Sequence, residues 1–349
     1  MGVFIFLSSV STQPGRAEQF YDEEPTSPNT PTTIFFPVVQ RQNPAPEPVG
    51  NIVIDHTSIA LFDRIPERYI TAAKNLRLLF SDRSVGQNIH DALDCLVAAS
   101  WDSSQADCRR DYYNASWDWK TYGLADLNNG TVPTRILFEP DPFKYNRNNW
   151  RYEYRQGTWS ELTQNFIQEL APAYINSSDV LSYQFSYLNI NESDNIDDPQ
   201  TGFFANNPTH YDIYDLEAYI ARYPNKIFFF WTTSLARSIG TDVGVNFNNH
   251  MRQYARDHNK ILFDVADIQA HTEQGTPCFD NRDGVQYCTQ NGVCENYPND
   301  RLNIPAICQD YTTEVDGGHL GSVSAGKIRL AKAFWVLMAR IAGWDGQSP

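Results

Sequence analysis

The chain has 349 residues, of which 20% are charged and 13% aromatic, and its formal net charge is −15. That acidic balance argues against nucleic acid or an anionic membrane as the principal partner. No run approaches the ~20 consecutive apolar residues that a membrane helix needs, and the length suits one large α/β domain as well as two average ones.

The chain opens Met1-Gly2-Val3-Phe4-Ile5-Phe6-Leu7, a short apolar stretch without a basic flank, and the small residues before Gln13, or Ala17, offer cleavage sites. Residues 1–17 read as a signal-peptide remnant. Residues 18–50 are rich in Pro, Thr, Gln and Glu, as in Asn43-Pro44-Ala45-Pro46-Glu47-Pro48. Such composition buries too little apolar surface to fold alone, so this stretch reads as an extended tail or linker.

Residues 51–346 form the folded domain. Residues 76–80 are a first strand, after which Val85, Ile89, Ala92, Leu93, Leu96 and Val97 recur at helical spacing. A helix is expected at 159–174, a strand at 179–187 and a helix at 211–223. The uninterrupted apolar run 226–231 is of the kind found in buried parallel strands. A helix at 245–258 and a strand at 260–265 follow, then a cysteine-rich excursion at 275–310. The final helix runs from about 324 to 342, with Gly343 as its stop. Strands alternating with helices predict an α/β fold, a parallel sheet covered on both faces, with its site at the carboxyl ends of the strands.

Six cysteines are an even number, none with Cys-x-x-Cys spacing. This pattern predicts three disulfides and an oxidising, extracellular or cell-surface location. Cys95 is expected to pair with Cys108. Two further bridges are expected among Cys278, Cys288, Cys294 and Cys308, whose three pairings the sequence leaves open. The histidines His56, His90, His210, His250, His258 and His271 show no ligand spacing, and neither a metal nor a cofactor is expected.

The chemistry concentrates in Asp316-Gly317-Gly318-His319. An Asp and a His three residues apart can share one turn, the carboxylate fixing one imidazole nitrogen while the other faces a reactive group. The partner nucleophile is Ser84, in Phe80-Ser81-Asp82-Arg83-Ser84-Val85-Gly86, which follows the first strand. A serine there needs an adjacent base, and the helix beginning beside it points backbone N–H groups at any anion formed. Ser81 is the less favoured alternative.

With Ser84 after the first strand and Asp316-x-x-His319 before the last helix, residues 74–345 resemble the SGNH (GDSL-type) hydrolase superfamily. The nucleophile block departs from the family's Gly-Asp-Ser and resembles a divergent branch with Ser-Val-Gly. The resemblance implies a flavodoxin-like three-layer sandwich around a central parallel sheet and a Ser84–His319–Asp316 triad. It also implies an oxyanion site from the backbone of Ser84 and Gly130 and the amide of Asn189. The implied activity is ester hydrolysis, including deacetylation of carbohydrates. Trp117, Trp119, Trp150, Tyr152, Tyr154 and Trp159 form an aromatic-rich stretch suited either to a sugar platform or to the core. A catalytically silent binding or structural domain on the same fold is the alternative reading.

Overall fold

A computed structural model describes residues 52–97, 110–112, 134–136, 138, 140–190, 195–237, 241–280, 286–288, 294–296, 304–308, 311–312, 314, 317–320 and 325–347. The proposed signal remnant and tail, Cys108, Gly130, Trp117, Trp119 and Asp316 lie outside these residues.

The strands in chain order are β1 (Val53–Ile54), β2 (Leu78–Asp82), β3 (Arg110–Tyr112), β4 (Thr134–Ile136), β5 (Trp150–Tyr154), β6 (Val180–Tyr183), β7 (Ile227–Trp231), β8 (Ile261–Phe263), β9 (Gln286–Cys288) and β10 (Cys294–Asn296). Six of them form one sheet in the order β1-β8-β7-β6-β2-β5, every neighbouring pair parallel. β3 pairs with β4 and β9 with β10 as separate antiparallel ribbons.

Successive side chains of a strand point to opposite faces, and the strands here are apolar on both. Leu78, Phe80, Phe229, Trp231, Ile261 and Phe263 enter one core. Leu79, Leu181, Phe228, Phe230 and Leu262 enter the other. The first core is covered by a 3-10 helix (His56–Arg64), α1 (Glu67–Asn75), α2 (Ser84–Cys95) and the C-terminal helix (Ala325–Ile341), whose Phe334, Trp335 and Leu337 are fully buried. The second is covered by the helical run that begins at Trp159–Asn165 and by the helices Ile213–Ile220 and Asp242–Asp257, through Phe166, Leu216 and Phe247. Helices on both faces of one parallel sheet make this a flavodoxin-like three-layer α/β fold.

The aromatic-rich stretch proves to be structural where it is described. Trp150 opens β5, is buried, and donates its indole N–H to Ala73 O at 3.2 Å. Trp159 is buried beside Phe203, and among the described members of this group Tyr154 is the exposed ring. Trp150 and Trp159 are therefore core residues and not part of a sugar platform.

β2 sits between β5 and β6, so the chain steps from β2 to one side and then returns to the other. This reversal of strand order is a topological switch point between β2 and β6, the position at which open parallel sheets generally bind their ligands. Among the described residues no helix is long and apolar enough to cross a membrane. Cys278 and Cys308 form a disulfide, which the sequence left as one of several pairings. Cys95 is also disulfide-bonded, and Cys294 lies directly opposite Cys288 in the β9–β10 register.

Candidate active site

Ser84 is the first residue of α2, directly beyond β2, and is half-buried. The turn between them is tightly held. Tyr152 of the adjacent strand donates its hydroxyl to Asp82 O at 3.0 Å and Arg83 O at 2.6 Å. Gly86 is required by close approach, since a Cβ there would fall 2.5 Å from Asp82 Cβ and 2.9 Å from Tyr152 Cε2. Arg83, at the N-cap of α2, makes no side-chain capping bond. The Gly86 amide of the first turn is directed at the Asp82 carboxylate, and the amides of Ser84 and Val85 remain a positively polarised surface beside the Ser84 hydroxyl.

Beneath this turn, Asp82 is almost completely buried, and neither carboxylate oxygen has a well-formed hydrogen bond. Burial pushes its pKa up to about 7, against the opposing pull of the nearby Arg83 and Gly86 amides and the Arg83 charge. The sequence offered no sign that this residue is anything but part of the nucleophile block.

His319 is held at several points. Its backbone N–H donates to Glu314 Oε2 at 2.9 Å, and its Nδ1 lies 2.6 Å from Glu314 Oε1. Thr312 Oγ1 donates to His319 O at 2.5 Å. The next residue, Leu320, donates its N–H to Asn88 Oδ1 at 2.9 Å. Asn88 follows Ser84 by four residues, so the two share one face of α2. The Tyr187 ring, just beyond β6, meets the imidazole edge to face at 6.1 Å. Gly318 packs so closely that a Cβ would sit 2.2 Å from Leu235 O. The hydrogen bond to Glu314 raises the pKa of His319 above its ordinary value, outweighing burial and the nearby Arg83 charge. With the Nδ1 proton held by the carboxylate, Nε2 carries the lone pair and can act as a base.

Glu314 is thus the carboxylate on His319 among the described residues, two positions before the expected Asp316, and no pattern in the sequence marked it. Asn189 closes a 3-10 turn (Tyr187–Asn189) in the loop after β6, which ends at Tyr183 and not at the expected 187, and its amide is already engaged. Its Oδ1 accepts from Ser186 N at 3.1 Å, and its Nδ2 donates to Gly157 O at 3.0 Å. Among the described residues the second Nδ2 hydrogen has no partner and is available to a ligand. That contact ties the loop after β5 to the loop after β6. Ser81 lies within β2 and is buried, away from the helix start. No hydrogen bond joins Ser84 Oγ to the His319 ring among the described contacts; catalytic hydrogen bonds often tighten only with substrate in place.

No protein-family model, no curated protein and no solved structure matches this chain.

Proposed function

We propose that this chain is a serine ester hydrolase whose nucleophile is Ser84 and whose general base is His319, in line with the SGNH-type resemblance of its motifs. The observation that carries the reading is the clamp of Glu314 on His319, in a loop bonded to Asn88 on the same helical face as Ser84. Ser84 Oγ attacks the acyl carbon while His319 Nε2 takes its proton and returns it to the leaving alkoxide. Water then repeats the sequence on the acyl-enzyme. The backbone amide of Ser84 at the start of α2 faces the developing oxyanion, and losing one such donor typically costs ~3 kcal/mol of transition-state stabilisation. The remaining Asn189 hydrogen supplies a further donor, and Gly130, outside the described residues, is proposed as another. Short acyl esters, acetylated carbohydrates among them, are the proposed substrates.

The test is labelling of the folded, disulfide-intact protein with a fluorophosphonate probe, followed by peptide mapping. The expected result is modification of Ser84 that disappears in Ser84→Ala and His319→Ala. Failure to label, with no hydrolysis of aryl acetates or acetylated sugars, would favour a binding domain instead. The engaged amide of Asn189 suits that second reading.

A further inference from the structure

We infer a second site on this domain, a zinc-class metal site built from His56, Asp267 and His271. Three separate features of the fold converge on it. Parallel pairing of β1 with β8 sets Ile54 beside Phe263, so the residues that follow each strand emerge side by side at the carboxyl edge of the sheet. His56 opens the 3-10 helix after β1, its position set by the Asp55 cap. Asp267 lies in the short helix after β8 (Val265–Gln269), capped by Asp264, whose Oδ1 accepts from Asp267 N at 3.1 Å. His271 follows Asp267 by four residues and so lies on the same side of that turn.

The donor atoms are already gathered. Asp267 Oδ2 lies 2.5 Å from His56 Nδ1, and Oδ1 lies 3.2 Å from His271 Nδ1. The two imidazoles stack at 3.9 Å between centroids with 13° between planes. One donor atom from each residue lies within 4.8 Å of the other two. Ligands at ~2.0–2.2 Å from a tetrahedral ion are separated by little more than 3 Å from one another. Because an imidazole lone pair lies in its ring plane, admitting an ion requires the stacked rings to rotate apart. It also requires the His271 Nδ1 contact with Asp267 O, 2.8 Å, to give way or the ring to bind through Nε2. Two imidazoles and one carboxylate form a set suited to zinc and its neighbours, whereas calcium and magnesium demand mostly oxygen. The carboxylate also accepts the His56 backbone N–H at 2.9 Å, and Tyr311 donates its hydroxyl to His271 O at 2.8 Å. These contacts hold the ligand-bearing segments in place, the supporting role that second contacts play at metal sites.

A cavity of about 210 Å³ borders the cluster, with Asp267 and His271 in its wall along with Leu235, Ala236, Asn248 and Arg252. An ion held by three protein groups therefore has an open side for water or a small anionic ligand, as zinc sites with three protein ligands do. Ser84 plays no part in the site, so it stands or falls apart from the proposed hydrolysis.

The test begins with the full chain, disulfides intact, stripped with a chelator that is then removed. Isothermal titration with zinc chloride and metal analysis after gel filtration are expected to give one zinc per chain. His56→Gln, Asp267→Asn and His271→Gln should each weaken binding by about tenfold or more, while His258→Gln, an exposed histidine elsewhere, leaves it unchanged. Cobalt loading of the unmutated protein, read by the visible absorption of a nitrogen-ligated tetrahedral ion, tests the site even if a variant fails to fold. Absence of stoichoimetric zinc uptake, absence of that cobalt spectrum, or uptake that survives His56→Gln/His271→Gln would overturn the inference.

Discussion

Glu314 holds His319 at two points, its Oε1 2.6 Å from the imidazole Nδ1 and its Oε2 accepting the backbone N–H of the same residue at 2.9 Å. A carboxylate so placed fixes both the ring and the chain that carries it. Glu314→Gln should therefore lower kcat more than Asp316→Asn, by roughly 10²–10⁴-fold if it is the orienting member of the triad. The raised pKa of His319 places the rising limb of the pH–rate profile above 6.5, the ordinary value for the ring. Glu314→Gln should move that limb toward acid. The sign of the stability effect is opposite in pH. A histidine whose folded pKa is raised contributes stability that is fully present below its unfolded pKa and lost as pH rises through its folded pKa. Destabilisation by Glu314→Gln should thus be seen near pH 5 and fade in mild alkali. NMR titration of the His319 ring, alongside melting curves at both pH values, checks both statements.

Asp82 should make the fold less stable as the solution becomes more alkaline. Its pKa is raised by burial from 3.8 to about 7. Between these values the native state binds more protons than the unfolded state, so stability falls with rising pH across that window and levels off above it. Asp82→Asn keeps the shape and removes the titration. The variant should match the parent near pH 4 and exceed it at pH 8 by on the order of 1–3 kcal/mol. Urea midpoints across pH 4–8 measure this, and parallel curves for the two proteins would contradict it.

Gly318→Ala should reduce activity through position. The added Cβ meets a backbone carbonyl, Leu235 O, at 2.2 Å, which cannot swing aside as a long side chain can. The loop must lift, carrying His319 away from the face of α2 to which Leu320 is bonded. A loss of about 1–3 kcal/mol of stability is expected from such overpacking, with a fall in kcat larger than any change in KM. The two are separated by steady-state kinetics on an aryl ester and a denaturant titration.

Reduction of the Cys278–Cys308 bridge should loosen the excursion while leaving the sheet intact. Both cysteines are pinned to the same short stretch, Cys278 N–H to Ala270 O at 2.7 Å and Cys308 N–H to Gln269 O at 2.9 Å. The bridge closes a separation of 30 residues, for which a stabilisation of about 2–4 kcal/mol is typical. Cys278→Ser/Cys308→Ser should lower the melting temperature accordingly, with amide exchange rising first in the excursion and the β2, β6 and β7 amides still protected.

Much of the sheet was legible in the sequence because burial on both faces leaves an apolar run that needs no knowledge of its neighbours. The run at 226–231 became β7, Ile227–Trp231, and the run at 76–80 became β2, Leu78–Asp82, displaced by two residues. The helix after Ser84 followed from its apolar spacing. β5 was not recognised, since Trp150-Arg151-Tyr152-Glu153-Tyr154 alternates aromatic and charged residues and equally suits an exposed platform. Only pairing with β2 shows that Trp150 and Tyr152 face inward. β1, two residues long, carries too little pattern of its own to be seen.

Local sequence by itself determined the alternation of strands and helices, the serine at the end of a strand and the histidine before the last helix, because these depend on near neighbours in the chain. Only the tertiary structure decided which groups meet. His56 and Asp267 are 211 residues apart, and it is the β1–β8 register that makes them neighbours. Glu314 lies five residues before His319, yet it reaches the ring because the chain folds back through Gly317 and Gly318, where a Cβ would strike Glu314 Oε2 or Leu235 O. Contacts of this kind depend on sheet register and loop path, and those are settled by packing across the whole domain.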